Sequence, residues 1–445
     1  MNKIRPQKNL FRHFRSYFLL VGFLLLFSGC ASLKIEETKI GSGWANNSVN
    51  TVIFRQNAIT SFQDHQFTAY YDENSNLILA KRNPGSDEWL LHKTHYKGNT
   101  KDAHNAISIA VDGNGFLHVS WDHHDTPLRY AISKEPLGLE LSEEIQMTGI
   151  AEEKVSYPQF YNLPDGNLIF LYRSGQSGRG SLIANSYNKD TKSWKQLHDN
   201  LIDGENERNA YWQASVDSQG TIHLSWVWRE TWDVSTNHDI CYARSTDGGF
   251  TWEKSSGEKY NLPITAKTAE YAWKVPQGSS LINQTSMTTD ASGNPYIASY
   301  WNENNSTQFQ IVYLKDDNWQ KEHTTFRKTL FTLGGGGTKR IPVSRPEILV
   351  NSEGNFTTAY LLFRDEERGN KVSLAYKKLN ADNWQIKDLT KNAVGEWEPN
   401  FDKELYRLKN QLHIFVQKVT QIDGEGIASE PATPVRILEI NNLPN

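Results

Sequence analysis

Ser245-Thr-Asp-Gly-Gly-Phe-Thr-Trp252 is the stretch on which the fold reading turns. An aspartate two residues before a Gly can cap a tight turn, and the closing tryptophan is a large apolar ring placed to pack against a neighbouring sheet. Similar punctuation runs along the chain. Turn signals stand at Asp72-Glu-Asn-Ser-Asn, Asp112-Gly-Asn-Gly, Pro164-Asp-Gly-Asn, Asp217-Ser-Gln-Gly, Asp290-Ala-Ser-Gly-Asn and Asn351-Ser-Glu-Gly-Asn. Alternating apolar runs flank them, such as Ile107-Ser-Ile-Ala-Val before one and Leu117-His-Val-Ser-Trp after it. That pattern predicts β-hairpins. Trp89, Trp194, Trp252, Trp319 and Trp384 each close a unit after an Asn/Asp-rich turn. The unit length, about 40 to 70 residues, is that of four-stranded propeller blades with insertions.

The expected fold is therefore all-β, a seven-bladed β-propeller with degenerate repeats over residues 48–445. The turns count six units. A strand near Thr51 to Phe54, paired with strands from Leu405 to Leu438, is expected to supply the seventh and leave no open sheet edge. Ser245–Trp252 resembles the Asp box of sialidase-like propellers, and Asn188-Lys-Asp-Thr-Lys-Ser-Trp194 is its nearest degenerate copy. The box is a structural device and carries no chemistry. No helix of convincing length is expected after the first thirty residues.

Composition narrows the partners. A chain of 445 residues with a formal net charge of -4 lacks the basic excess of a nucleic-acid binder. A local basic groove for an acidic polysaccharide stays compatible with it. Lys3, Arg5, Lys8, Arg12 and Arg15 precede an apolar run from Tyr17 to Phe27 that ends Ser28-Gly29-Cys30. This reads as a targeting segment over residues 1–29, similar to a bacterial lipoprotein signal with Cys30 as the lipidated residue. Ordinary secretory cleavage is the alternative. The expectation is an exported lipoprotein, facing the periplasm or outer membrane, touching the membrane through its lipid alone. Residues 30–47 read as a tether. Cys241 has no second cysteine to pair with in the mature chain. His223 and His238 could join it around a metal, but a buried thiol is the better reading, and neither metal nor cofactor is assigned.

The candidate chemistry gathers between residues 101 and 173. His104 precedes one predicted strand and His124 follows its returning partner. Tyr157 opens the next blade and is expected to be extended, because Pro158 disfavours helix there. Arg173 ends the strand after it. A base, a phenol and a guanidinium are the groups needed to remove a proton beside a carboxylate and expel an oxygen leaving group. Taken singly, a histidine is more often a surface or capping group, and Tyr157 a packed aromatic.

The ordered set Asp102-x-His-Asn105, Leu117-His-Val-Ser-x-x-x-His124, Ser156-Tyr-Pro-x-Phe160 and Tyr172-Arg173 resembles the propeller-type ulvan lyases. So do Trp226-Val-Trp-Arg-Glu230 and Asn237-His-Asp-Ile-Cys-Tyr-Ala-Arg-Ser245. The resemblance implies a seven-bladed enzyme that cleaves sulfated rhamnose–uronate chains by β-elimination. It implies His104 and His124 as active-site histidines, Tyr157 as the catalytic phenol, and Arg173 as the carboxylate clamp. Tyr211 and Arg229 are implied as further substrate contacts. The family's zinc constellation is not evident in this sequence, which leaves a structural metal unassigned.

Three other readings compete. A dehydratase of unsaturated ulvan oligosaccharides uses the same proton abstraction, and His123-His124 with Asp122 and Asp125 could reshape the pocket for it. A sialidase-like glycosidase is suggested by Arg340-Ile-Pro342, although that motif should precede the boxes and here follows them. A non-catalytic glycan-binding propeller would use Trp121, Trp228, Trp232 and Trp301 as stacking platforms.

Overall fold

The computed structural model describes residue 1 and residues 33–444, apart from 56, 177–179, 284–285, 354–355 and 380. The signal segment and Cys30 lie outside the described residues. Among the described residues the strands group into seven antiparallel sheets, a seven-bladed β-propeller. The first strands of six blades are Ile59–Phe62, Ile107–Val111, Val155–Asn162, Asn209–Val216, Ser286–Thr289 and Glu347–Glu353. They pack side by side around the centre. Phe401 completes the ring by pairing with Ile414.

The ring closes with strands from both ends of the chain, but not with the N-terminal strand expected. Glu36–Gly43 pairs antiparallel with Thr433–Ile440, which in turn pairs with Leu412–Gln417. The segment read as a tether thus contains the outermost strand of the last blade. Its signal was short: Thr38 and Ile40 are buried while Glu37 and Lys39 face out, a period-two alternation in a polar run. A buried ion pair joins the last blade to the first, Arg82 to Glu439 at 2.6 Å, and Thr38 bonds to both partners. Thr51–Phe54 is a buried approach to the first blade instead, ending in the 3-10 turn Ile53–Arg55.

The turns anticipated at Asp112, Asp165, Asp217 and Asp290 join the first and second strands of their blades. Asp112, Asp217 and Asp290 each accept backbone N–H groups from two and four residues ahead at 2.9 Å. Asp72 makes the same turn one strand later, between His65–Tyr71 and Asn76–Arg82, so it is not the equivalent mark. In the Ser245–Trp252 box, Asp247 accepts from Thr251 N at 2.9 Å and from Ser245 Oγ at 2.8 Å. Gly249 takes the left-handed φ of 95° that this turn needs. Trp252 is buried among residues of two adjacent blades, including Ile169, Leu171, Leu224 and Trp226.

Two blades carry the same buried triad. His118 bonds to Asp112 and to the Tyr130 hydroxyl, and His223 bonds to Asp217 and to the Tyr242 hydroxyl. His223 is therefore committed to a blade turn, whereas His238 bonds to Glu230 and Asp239. Neither joins Cys241, which is a fully buried free thiol. Among the described residues one short α-helix, Lys403–Lys409, is capped by Asp402 through its bond from Leu405 N. It lines a cavity of about 420 Å³ at the mouth where the first strands end.

Ile40→Ala tests the closing strand. Truncating a side chain buried in the outermost strand of the last blade should cost about 2–5 kcal/mol, read as a lower urea midpoint. An unchanged midpoint would return residues 36–43 to the status of a tether.

Candidate functional site

The other mouth, where the first strands begin, gathers one residue from each blade. Phe54, His104, Asn283 and Arg345 stand just before first strands, and Tyr157 and Tyr211 lie at the start of theirs. Glu398, from the last blade, grips Arg345 at 2.7 Å and accepts from Ile53 N at 2.9 Å. The six residues named before Glu398, together with His124, Arg229, Trp232, Lys339 and Glu425, line a cavity of about 330 Å³.

Asp102 organises the histidines. His104 donates from Nδ1 to Oδ1 at 2.8 Å, and His124 donates from Nδ1 to Oδ2 at 2.7 Å. An ionised carboxylate only accepts, so both rings carry their proton on Nδ1 and leave Nε2 as the nitrogen for a ligand. The rings stack with centroids 4.1 Å apart. The motif alone does not give Asp102 a role. Its Asp-x-His spacing lets one carboxylate meet the His104 side chain and backbone N–H together. Burial works to raise the Asp102 carboxyl, but the bonds from His104 and His124 outweigh it and hold it well below the usual carboxylate range. Burial pushes the His104 imidazole down, against the pull of Asp102. The same three residues have ligand atoms within 4.8 Å of one another, so among the described residues they are the group that could hold a metal. An ion there must displace the two ring protons that now bond to Asp102.

His124 reaches the site through a strand exchange. His124–Thr126 leaves its own blade and pairs with Val155 and Ser156 of the next. The sharp path needs left-handed backbone at Asp122 and Asp125, with φ of 71° and 58°. His123, Asp122 and Asp125 do not line the cavity. His123 is buried, accepts from Arg129 N at 3.1 Å, and is pushed down to about 3 by burial. Asp122 pairs with Arg129 at 2.7 Å. The pocket is not reshaped by these three in the way the double histidine suggested.

Tyr157 departs from the extended conformation expected before Pro158. Its φ is 58°, and the register of its strand slips between Ser156 and Gln159. This is a β-bulge, which re-aims a side chain at the cost of local strain on the order of 1–3 kcal/mol. The ring packs on Phe54 at 4.9 Å, and Phe54 also stacks on His104 at 5.2 Å. Burial raises the phenol to about 12, although Arg173 opposes the shift. Tyr157 therefore keeps its proton at neutral pH.

Arg173 lies behind this ring and not on the cavity wall. Its Cζ sits 4.7 Å over the Tyr157 ring, and it donates to Ser156 Oγ at 3.2 Å and Gly175 O at 3.1 Å. Its Nη1 is buried without a hydrogen-bond partner. Arg229 does line the cavity, 5.4 Å over the Tyr211 ring. Carbonyls hold it, those of Thr231 at 3.1 Å and of Trp232, and no carboxylate is among these partners. Lys339, Arg345 and Glu425 went unread in the sequence. They arrive on long loops with no local pattern, and the sialidase-like echo at Arg340-Ile-Pro342 sits beside this wall. Of the four tryptophans considered as platforms, Trp121, Trp228 and Trp301 are buried core, and Trp232 alone is exposed.

The chain matches the model of the BNR repeat-containing family over residues 65–327, and it belongs to that family. It is similar to the long-isoform ulvan lyase of Glaciecola sp. (strain KUL10), 23% identical over 190 residues, 32% of this chain and 19% of that protein. The long-isoform ulvan lyase of Alteromonas sp. (strain LOR) is 23% identical over 187 residues, 31% of this chain and 19% of that one. These matches span about a fifth of the length of either relative. Among solved structures, polysaccharide lyase Uly1 superposes with a TM-score of 0.68 at 14% identity, covering 92% of this chain and 99% of that one. A PL25 ulvan lyase bound to -[GlcA(1-4)Rha3S]- gives 0.64 at 14% identity, covering 88% and 97%. The likeness establishes the shared propeller fold.

The buried imidazoles set a pH dependence of stability. His104 and His118 are held low by burial, and burial pushes His413 down to about 4. Below their ordinary value of about 6.5 the unfolded chain binds these protons while the folded chain does not, so stability falls as pH falls. His238 works the other way: burial lowers it, but Asp239 and Glu230 outweigh that and raise it. The depressed group includes His123 as well and outnumbers it. The melting temperature should be highest near pH 7 to 8 and drop as pH passes below about 6.5, read by calorimetry. A flat profile through that window would contradict neutral buried imidazoles.

Proposed function

We propose that this chain is a carbon–oxygen lyase acting by β-elimination on an ulvan-type sulfated rhamnose–uronate polysaccharide. The observation that carries the reading is the Asp102 bridge. It leaves two imidazole Nε2 atoms beside a protonated phenol in one cavity with buried cationic groups. The curated relatives are named ulvan lyases, and one structural neighbour was solved with a glucuronate–rhamnose sulfate chain. Both support this substrate class.

The chemistry follows from the protonation states. A uronate C5–H is a weak acid until its carboxylate is neutralised, because the developing enolate places a second negative charge there. Arg229 lines the cavity over the Tyr211 ring and is held by carbonyls, so it can neutralise that carboxylate, while Arg173 supports the phenol from behind the Tyr157 ring. Neutral His104 takes the C5 proton at Nε2, with Asp102 stabilising the resulting imidazolium. The C4–O4 bond breaks, its electrons leave with O4, and Tyr157 gives O4 its proton. A double bond forms between C4 and C5. Return of the proton from His104 to Tyr157 through solvent restores both groups. His124, on the second carboxylate oxygen, fixes Asp102 and presents a further Nε2 to the substrate.

Incubation with ulvan should release products carrying a conjugated double bond, seen as a rise in ultraviolet absorbance, without addition of water to the mass. Tyr157→Phe and His104→Ala should each lower kcat on the order of a hundredfold or more. Arg229→Ala, which removes a cation that lines the cavity, should lower kcat and raise KM together, whereas Arg173→Ala, which removes the support behind the Tyr157 ring, should lower kcat more than it raises KM. Full activity in Tyr157→Phe would overturn the assignment. Loss of one water from an unsaturated oligosaccharide, with the polymer untouched, would move the protein to the dehydratase reading.

A further inference from the structure

We infer that Trp232 forms a separate sugar-binding subsite, stacking on the pyranose ring next to the uronate held at His104 and Tyr157. The inference rests on the lyase reading for the identity of the chain, and its geometry does not involve His104, His124 or Tyr157. Trp232 is 68% exposed, yet it lines the same cavity as His104, His124 and Tyr157. One exposed aromatic side chain is ordinary on a protein surface, but this one stands in the lining of the cavity that holds the imidazoles and the phenol, where it meets whatever the cavity binds.

The indole is exposed but not loose. Arg229, whose side chain lies over Tyr211, donates from Nη2 to the Trp232 carbonyl and from Nε to that of Thr231. Asp233 accepts from Ser235 N at 2.8 Å and from Gly335 N at 2.9 Å, and Val234 N donates to Gly335 O at 2.9 Å. Those bonds tie the tryptophan loop to the run Gly334-Gly-Gly-Gly337. A Cβ placed on Gly336 would stand 3.1 Å from Trp232 Cε3, so the glycine admits the ring at close range. Fixing an aromatic side chain before a ligand arrives lowers the entropy cost of binding.

The ligand chemistry follows from what the subsite offers. Lys339, the nearby ammonium on this wall, is already paired with Asp423 at 2.6 Å. Recognition at Trp232 is therefore by an apolar face, and the C–H face of a pyranose provides one while its hydroxyls stay in water. The inference places Trp232 on a ring other than the one at the imidazoles, so the subsite favours polymer or longer oligosaccharide over a single ring.

Calorimetric titration of ulvan into Tyr157→Phe protein tests this without turnover. Adding Trp232→Ala should weaken binding about tenfold, roughly 1.4 kcal/mol, whereas Trp232→Phe should retain most of it. Gly336→Val, which crowds the indole without removing it, should reproduce the loss. In otherwise intact protein, Trp232→Ala should raise KM for ulvan more than it lowers kcat, and the effect should shrink on the shortest cleaved oligosaccharide. Unchanged ulvan affinity in Trp232→Ala, with an unchanged melting temperature, would overturn the subsite. Failure of the parent protein to cleave ulvan would overturn the lyase reading and leave the binding comparison standing.

Discussion

Apolar clusters lie between neighbouring sheets of this protein, and closure of the ring is what keeps them covered. A blade buries its faces only against its two neighbours, so a propeller with one missing contact exposes two sheets at once. The last blade is assembled from Glu36–Gly43, Leu412–Gln417 and Thr433–Ile440, and Arg82 with Glu439 ties it to the first. An ion pair this deeply buried gains little against the cost of desolvating its charges. Its geometry, with Thr38 bonded to both partners, is best understood as fixing which edges meet.

Closure also explains where the site lies. The first strands of the blades converge at one mouth, and each brings the residue at its start. Seven short approaches thus supply an aromatic, imidazole, phenol, amide, guanidinium or carboxylate without any one segment being long. The local price is visible at Tyr157, where the backbone turns left-handed inside a bulge. Packing from Phe54 on one side and Arg173 on the other holds that conformation. Rigid support from the propeller is what lets an unfavourable backbone persist at the position where the ring must point inward.

Much of this was legible in the residues, and the failures have physical causes. Turn chemistry at Asp112, Asp217 and Asp290 is local, so it could be read directly, as could the buried Trp252. Glu36–Gly43 was missed because a strand on the rim of a blade needs only two or three inward side chains, too few to stand out from a tether. Tyr157 was misjudged because the restriction imposed by Pro158 is a preference, and a bulge stabilised by distant packing overrode it. The motif names His104, His124 and Tyr157, which line one cavity, but the bridging place of Asp102 depends on the fold, which brings His124 to it from 22 residues away. Lys339 and Arg345 against Arg173 show the limit most sharply: which cation faces the cavity depends on chain segments far apart in sequence.

The strand His124–Thr126 has a further consequence. It belongs in sequence to the second blade, which keeps three strands, yet its hydrogen bonds count toward the third, which has five. Asp102 repeats the crossing with side chains, since it holds His104 before the second blade and His124 on the third. These two blades share a strand, where other neighbours are joined by side-chain bonds such as Arg82 to Glu439 and Arg345 to Glu398. They are expected to open together as one cooperative unit, while the remaining blades can loosen pairwise. Thermal motion elsewhere in the ring can then widen or narrow the cavity from the side of Arg229 and Lys339 without separating the imidazoles.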